Sequence, residues 1–444
     1  MKKVSMIVLL AAILSQLTQP TMAQPKQWTL RECCDYAVTH NITIKQRENQ
    51  CRQQELQLST AKNQRLPDLS GSVGQNFSFG RGLTADNTYS NTNTSSTSFS
   101  LGTSVPLFTG FQIPNQVKLS QLNLEAATAD LEKAKNDIRM QVAQAYVQML
   151  YDMEIADVAY RQVAIDSMQV VRLQALVDNG KASGVELSRQ QATLANSRLT
   201  ATQADNNQRL ALLTLTQLLE LPTPEGFAVV RPELSGLSGT TGIPSPDAIY
   251  ADALGIKPEI AAQQLRLRAT DHSIKIAQAG YLPSLSLSGG LGSNYYTTSK
   301  FSSDPFGTQL KNNFSQYIGL NLSVPIFNRF QTRNNVRNAR LEQESQQLAL
   351  DDTKKTLYKE IQQVYYNALN AEQRERSSSE AVASSNAAFV LMQAKYEIGM
   401  ANITEFNEAK NVFLKAESDH VQAQYELLYQ NALINFYRGR DMAF

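Results

Sequence analysis

Proline marks out where this chain can be helical. Its fourteen prolines leave two stretches untouched, Asn115 to Leu221 and Ile326 to Phe444, and the only glycines inside them are Gly180, Gly184, Gly399 and Gly439. An interior proline removes a helix hydrogen bond and clashes with the preceding turn, so its exclusion over such distances predicts long helices. Breaks at the paired glycines turn each stretch into a hairpin, with a long arm of roughly 65 residues, about 95 Å, and a return arm of roughly 36. No compact globule needs helices of that length.

The chain also repeats itself. Ser104-Val105-Pro106-Leu107-Phe108 returns 219 residues later as Ser323-Val324-Pro325-Ile326-Phe327, and the same offset pairs Phe111 with Phe330, Tyr146 with Tyr365 and Gly180 with Gly399. Upstream the offset is 216, matching Leu66-Pro67 to Leu282-Pro283. A period of this kind predicts two copies of one structural unit, residues 24–232 and 233–444. Each copy holds a helical arm (29–66 and 247–282), a strand hairpin (69–108 and 284–327) and the long hairpin of helices (112–221 and 331–438). A linker rich in Pro, Gly and Thr, residues 222–246, joins them.

Local signals fix the order within each copy. Thr29 with Glu32 is a capping box, and Ser245-Pro246 supplies an N-cap followed by proline at the first helical position. In the hairpins Leu69, Val73, Phe77 and Phe79 alternate with Ser, Gly and Asn, as do Phe99, Leu101, Val105 and Leu107. The second copy repeats the pattern with Leu285, Leu287, Leu291 and Tyr295, then Phe314, Ile318, Leu320, Leu322 and Val324. Four strands result, apolar on one side and small-polar on the other, with polar tips at Asp86 to Ser96 and Thr297 to Asn313. A soluble sheet with one buried face shows the same alternation. Flanking helices too long for a globule favour a transmembrane barrel wall. Four strands are too few to close a barrel, so several chains must contribute.

The amino terminus agrees with that reading. Lys2 and Lys3, an apolar run from Val4 to Leu14 and the small-residue site ending at Ala23 predict an export signal over residues 1–23. Without it the chain carries one net negative charge, which argues against nucleic acid as a partner. No apolar run reaches the roughly 20 residues a spanning helix requires, so membrane insertion must use strands. Cys33 and Cys34 are adjacent, and Cys51 falls further along what reads as the same helix, too far to pair. Three His without metal-ligand spacing, and no phosphate loop or Cys-x-x-Cys, leave no expectation of an enzyme, a metal site or a cofactor.

The paired Val-Pro-Leu-Phe and Val-Pro-Ile-Phe junctions, the tandem halves, Tyr146 and Tyr365 within the long arms, and Tyr396-Glu397-Ile398-Gly399 with Ile403 resemble TolC-type outer-membrane efflux proteins over nearly all the mature length. The resemblance implies a mainly helical homotrimer. Its strands would form a 12-stranded barrel in the outer membrane, and its helices a periplasmic tunnel girdled midway by the linker. It implies export of drugs, metal ions or proteins with a periplasmic adaptor and an inner-membrane pump of the resistance-nodulation-division or ABC type. A protein-secretion duct and a non-transporting stalk are the alternatives. Gly180 and Gly399, where the long arms turn, would form the exposed rim that docks the adaptor or would merely terminate the helices; by position in the family's motifs, Tyr396 and Glu186 would help lock neighbouring coils. The family's arginine two residues after the second glycine is Ala401 here, leaving Lys181 or Arg189 to supply that ionic link. Glu405 and Glu408 take the positions of lumen-facing acids; their spacing of three puts them on one helix face, where six carboxylates would ring a trimer's throat as its gate.

Overall fold

The computed structural model describes residues 27–83, 87–232, 242–299 and 302–442. The expected signal segment lies outside these residues, as do Asp86 at one hairpin tip and the middle of the linker. Helices α1 (Leu30–His40) and α2 (Ile42–Asn63) lead into strands β2 (Asp68–Leu83) and β3 (Tyr89–Thr109), then into α3 (Gln112–Asp178) and α4 (Gly184–Leu218). After the linker come α5 (Pro246–Ile256), α6 (Pro258–Ala279), β5 (Ser284–Thr298), a short α7 (Phe306–Asn312), β6 (Ser315–Ser323), α8 (Gln331–Glu397) and α9 (Ile403–Tyr437). Two-residue strands β1 (Gln27–Trp28) and β4 (Ala228–Val229) pair in parallel.

The helices follow the repeat residue for residue. α1 and α5 each have 11 residues, α2 and α6 have 22, α3 and α8 have 67, and α4 and α9 have 35. The capping box at Thr29 forms as expected: its Oγ1 accepts from the Glu32 amide at 3.3 Å, and Glu32 Oε2 accepts from the Thr29 amide at 3.0 Å.

Two sequence expectations need correction. Each upstream arm is broken, the first at Asn41 and the second at Lys257, so Cys33 and Cys34 do not share a helix with Cys51. Asn41 leaves the helical region with ψ 132°; its side chain accepts from the Thr43 amide and donates to the Leu218 carbonyl, replacing the interrupted helix bonds. None of the three cysteines is in a disulfide, and burial pushes the Cys34 thiol up to about 12, as for a packing residue. The second hairpin tip, expected to be loop, contains α7. Its Gln309 accepts from the Tyr296 amide and donates to the Tyr296 carbonyl at 2.9 and 3.0 Å, a side chain imitating a strand partner.

The four long strands form one antiparallel sheet in the order β2-β3-β5-β6. Register puts Val73 beside Phe99, Leu101 beside Leu291, and Leu287 beside Leu320, while Ser72, Ser100 and Gly292 line up on the opposite face. The apolar face is open: Leu69, Val73, Phe79, Ile318 and Leu320 are all exposed. β2 and β6 are edges with no further partner among the described residues.

The described residues divide into two compact units that cut across the repeats. One takes the chain up to Lys45, Ala134–Ile256 and the chain from Leu357; the other takes Gln46–Lys133 and Lys257–Thr356 and so holds the sheet. Within the first, the buried Tyr146 hydroxyl donates to the Val230 carbonyl at 2.7 Å and lies 3.0 Å from that of Trp28, fastening β1 and β4 to α3.

Candidate gate at the helix turns

Helices α3 and α8 end in the same way. The Gly180 amide bonds to the Val177 carbonyl and the Lys181 amide to that of Leu176; Gly399 to Tyr396 and Met400 to Lys395 repeat the pattern. These are Schellman turns, which require a left-handed residue, and both glycines supply it at φ 68° and 76°. Space around both is open, so backbone conformation rather than close packing selects glycine. The turns present Val185, Ile398 and Met400 to solvent.

The return helices then start from side-chain caps. Ser183 Oγ accepts from the Val185 amide at 3.1 Å. Asn402 Oδ1 accepts from the Glu405 amide at 2.9 Å, while Glu405 Oε2 accepts from the Asn402 amide at 3.1 Å. Glu405 is thus half of a capping box, a role its Asn-x-x-Glu spacing encodes and the reading of it as a throat residue overlooked. One turn on, Glu408 is exposed and has no ion pair among the described residues.

Behind the turns, Tyr396 is buried against Phe406, ring centroids 5.0 Å apart, in a cluster with Leu173, Phe389 and Ile403. The Arg172 guanidinium sits 4.9 Å from the Tyr396 ring centroid and donates to the Glu397 carbonyl at 3.0 Å. Burial raises the Tyr396 phenol above its ordinary 10; Arg172 opposes the rise and the Glu186 carboxylate adds to it. The Glu186 carboxylate is thus near enough for its charge to act on Tyr396, and the group in contact with the ring is Arg172, which the sequence reading did not single out. Lys181 and Arg189 are exposed, and neither has a carboxylate within 4.0 Å among the described residues. In this protomer Arg172 is the cation on Tyr396.

Deeper still is a polar knot that no sequence motif announced. Asp166 of α3 pairs with Lys410 of α9, and both side chains are fully buried. Ser197 donates to the Asp166 carboxylate at 2.6 Å and Gln190 at 3.2 Å, while Asn407 donates to Gln190 at 3.0 Å. A buried charge pair is tolerable only when its remaining hydrogen-bond capacity is filled, and the α4 side chains do this for the carboxylate. Three helices are thereby pinned at one point.

Comparison with known proteins matches residues 35–220 and 249–439 to the family described as outer membrane efflux protein. Among similar proteins, the outer membrane efflux protein BepC of Brucella suis is 22% identical over 428 residues, covering 96% of this chain and 88% of BepC. The fusaric acid resistance protein FusA of Burkholderia cepacia is 28% identical over 63% of this chain; the alignment spans 52% of FusA, about half its length. The MtrE outer membrane channel of Neisseria gonorrhoeae, solved in an open state, shares the fold with a TM-score of 0.74 at 19% identity, covering 94% of this chain and 91% of that one.

Proposed function

The chain belongs to the outer membrane efflux protein family, and from that premise we propose how its parts divide the work. It is a channel-tunnel of the outer membrane that serves export, reaching into the periplasm with its helices. One observation carries the reading at the level of this chain: a four-stranded sheet whose apolar face is exposed and whose two edges are open. Lipid covers such a face at no cost in backbone polarity only if the edges close on one another, which four strands cannot do alone. Three copies, contributing a repeat pair each (24–232 and 233–444), make a 12-stranded barrel.

The helix turns are the periplasmic mouth. Gly180 and Gly399 form its rim, and the exposed Val185, Ile398 and Met400 give an adaptor's helices an apolar surface to meet. Tyr396, Glu186 and Arg172 hold the long and return arms together behind that rim, with Lys181 and Arg189 free to face a neighbouring protomer. Glu408 is the throat carboxylate. Glu405 joins it when its capping bond opens, so cap release and throat charge are coupled. An inner-membrane pump of the resistance-nodulation-division or ABC type feeds the duct, and the cargo is of the kinds that relatives' names record, which include fusaric acid resistance and pyoverdine export.

Single-channel recording in planar bilayers tests the reading. Wild-type protein should conduct with cation preference, and Glu405→Gln with Glu408→Gln should reduce that preference and the block by trivalent cations. Absence of channels would refute the duct; unchanged selectivity would move the throat elsewhere.

A further inference from the structure

The two strand-to-helix junctions have the same backbone and different charges. At the first, Gly110 and Phe111 are left-handed (φ 62° and 65°); at the second, Arg329 and Phe330 are (φ 55° and 63°). Phe108 packs edge-on against Phe111 at 5.3 Å, and Phe327 against Phe330 at 5.5 Å. Position for position at the 219-residue offset, Gly110, Pro114, Lys118 and Gln121 become Arg329, Arg333, Arg337 and Arg340.

Folding explains the first set and not the second. A Cβ at Gly110 would lie 2.8 Å from the Ala279 carbonyl, so glycine is needed there. Arg329 is an arginine in a conformation that favours glycine. Arg333, Arg337 and Arg340 follow one another over the opening turns of α8; the helix dipole disfavours a cation at Arg333, and the first turn holds no acid to offset it. All four are exposed, and none has an ion pair among the described residues. Arg333, Arg337 and Arg340 are spaced four and three apart and continue from Phe330 as one stripe.

That stripe begins where the sheet's apolar face ends. Ile318, Leu320, Leu322, Val324 and Ile326 form an exposed apolar line, Ile326 at 95% exposure, which gives way to Phe327 and Phe330 and then to arginine. Beside it opens a pocket of about 220 Å³ between Tyr281, Ile326, Phe327 and Phe330, with Arg333 at its wall; Arg333 also lies 5.6 Å from the Phe330 ring centroid. Apolar, aromatic and cationic groups succeed one another in the order hydrocarbon, interface and phosphate do in a leaflet. Arg333 is about 5 Å beyond Phe330 along the helix, within a headgroup layer of roughly 5–7 Å, and Arg337 is about 10 Å beyond it, where its long side chain reaches back to that layer's aqueous face.

We propose that this junction is a binding site for an anionic phospholipid of the periplasmic leaflet, with the pocket taking the glycerol and upper acyl chain and Arg333 and Arg337 the phosphate and its anionic headgroup. The proposal rests on the sheet being the lipid-facing wall. Arginine's planar fork suits a phosphodiester, and continuity with the apolar face selects a lipid over free phosphate.

The test is native mass spectrometry of the detergent-purified full-length protein equilibrated with equal phosphatidylglycerol and phosphatidylcholine, alongside bilayer insertion. Wild type should retain phosphatidylglycerol over phosphatidylcholine by at least about tenfold. R333Q/R337Q/R340Q should bring the ratio near one; the matching lysine variant should keep most of it, and K118Q all of it. Equal retention of both lipids by wild type, an unchanged ratio in the glutamine variant, or displacement of the lipid by inorganic phosphate would each overturn the site. Loss of oligomer in the glutamine variant would overturn it too, assigning the arginines to a subunit contact. Insertion without lipid preference defeats this inference alone; failure to insert defeats the lipid-facing sheet as well.

Discussion

The first and second repeats agree where they are helical and part company where they are strands. All four helix pairs match in length and offset, yet β2 and β3 have 16 and 21 residues against 15 and 9 for β5 and β6, with α7 filling the difference. A helix satisfies its own backbone, so its length is set by local breakers and caps that duplication copies intact. A strand's length depends on its neighbour. β6 stops pairing at Ser315 opposite Gly292, and beyond it α7 takes over the edge of β5 through Gln309. The same contrast holds for single residues: Tyr146 is buried and fastens β1 to β4, whereas its counterpart Tyr365 is partly exposed and packs on Tyr366.

The sharpest break in the symmetry is the buried pair. At the 219-residue offset Asp166 corresponds to Ser385 and Lys410 to Gln191, so only one diagonal of the repeats carries charge. Asp166→Ala should destabilise the turn-end helices by about 3–5 kcal/mol by stranding a buried ammonium, and Asp166→Leu with Lys410→Met should recover most of that loss. Hydrogen exchange of α9 amides, with thermal unfolding, measures both. Equal losses in the single and double variants would mean that the pair is not what pins α3 to α9.

Next comes the tyrosine pair. Tyr146→Phe should cost about 1–2 kcal/mol, because two buried carbonyls lose a shared donor, and Tyr365→Phe should lie within experimental error of wild type. Chemical unfolding followed by Trp28 fluorescence reads the first directly, since Trp28 sits on the strand that Tyr146 holds. Similar effects at both positions would restore the symmetry that the structure breaks.

Gln309→Ala isolates the difference between the hairpins. It removes the side chain that holds α7 to β5, costs about 1 kcal/mol locally, and should speed proteolysis between Thr298 and Ser315 without moving global stability. An unchanged cleavage rate would leave α7 held by Phe306 packing on Phe99 and Tyr295.

The smallest effect concerns pH. The Tyr396 phenol titrates higher in the folded state than in the unfolded chain, so its contribution is complete below pH 10 and is lost as pH rises through the folded value. Wild type should therefore loosen at the turns in strong alkali more than Tyr396→Phe does, measured by alkaline unfolding curves. Coincident curves would exclude Tyr396 as the titrating group.

Sequence alone determined the four long helices and the turns between them, because the determinants are local. Proline exclusion, Gly180 and Gly399 at left-handed turns, the Thr29-Glu32 box and the alternation of Leu69 through Phe79 each act within a few residues of chain. Asn402 with Glu405 was equally legible, although its capping meaning is eclipsed when Glu405 is read for its charge. Tertiary structure alone decided which side chains meet. Asp166 and Lys410 lie 244 residues apart, Arg172 and the Glu397 carbonyl 225, and Asn41 and the Leu218 carbonyl 177. No periodicity marks such partners, since a lone Asp or Lys in a helix reads as solvated surface until packing removes its water. Burial is a property of the assembled helices, and it turned an ordinary aspartate and lysine into the point where three of them are tied.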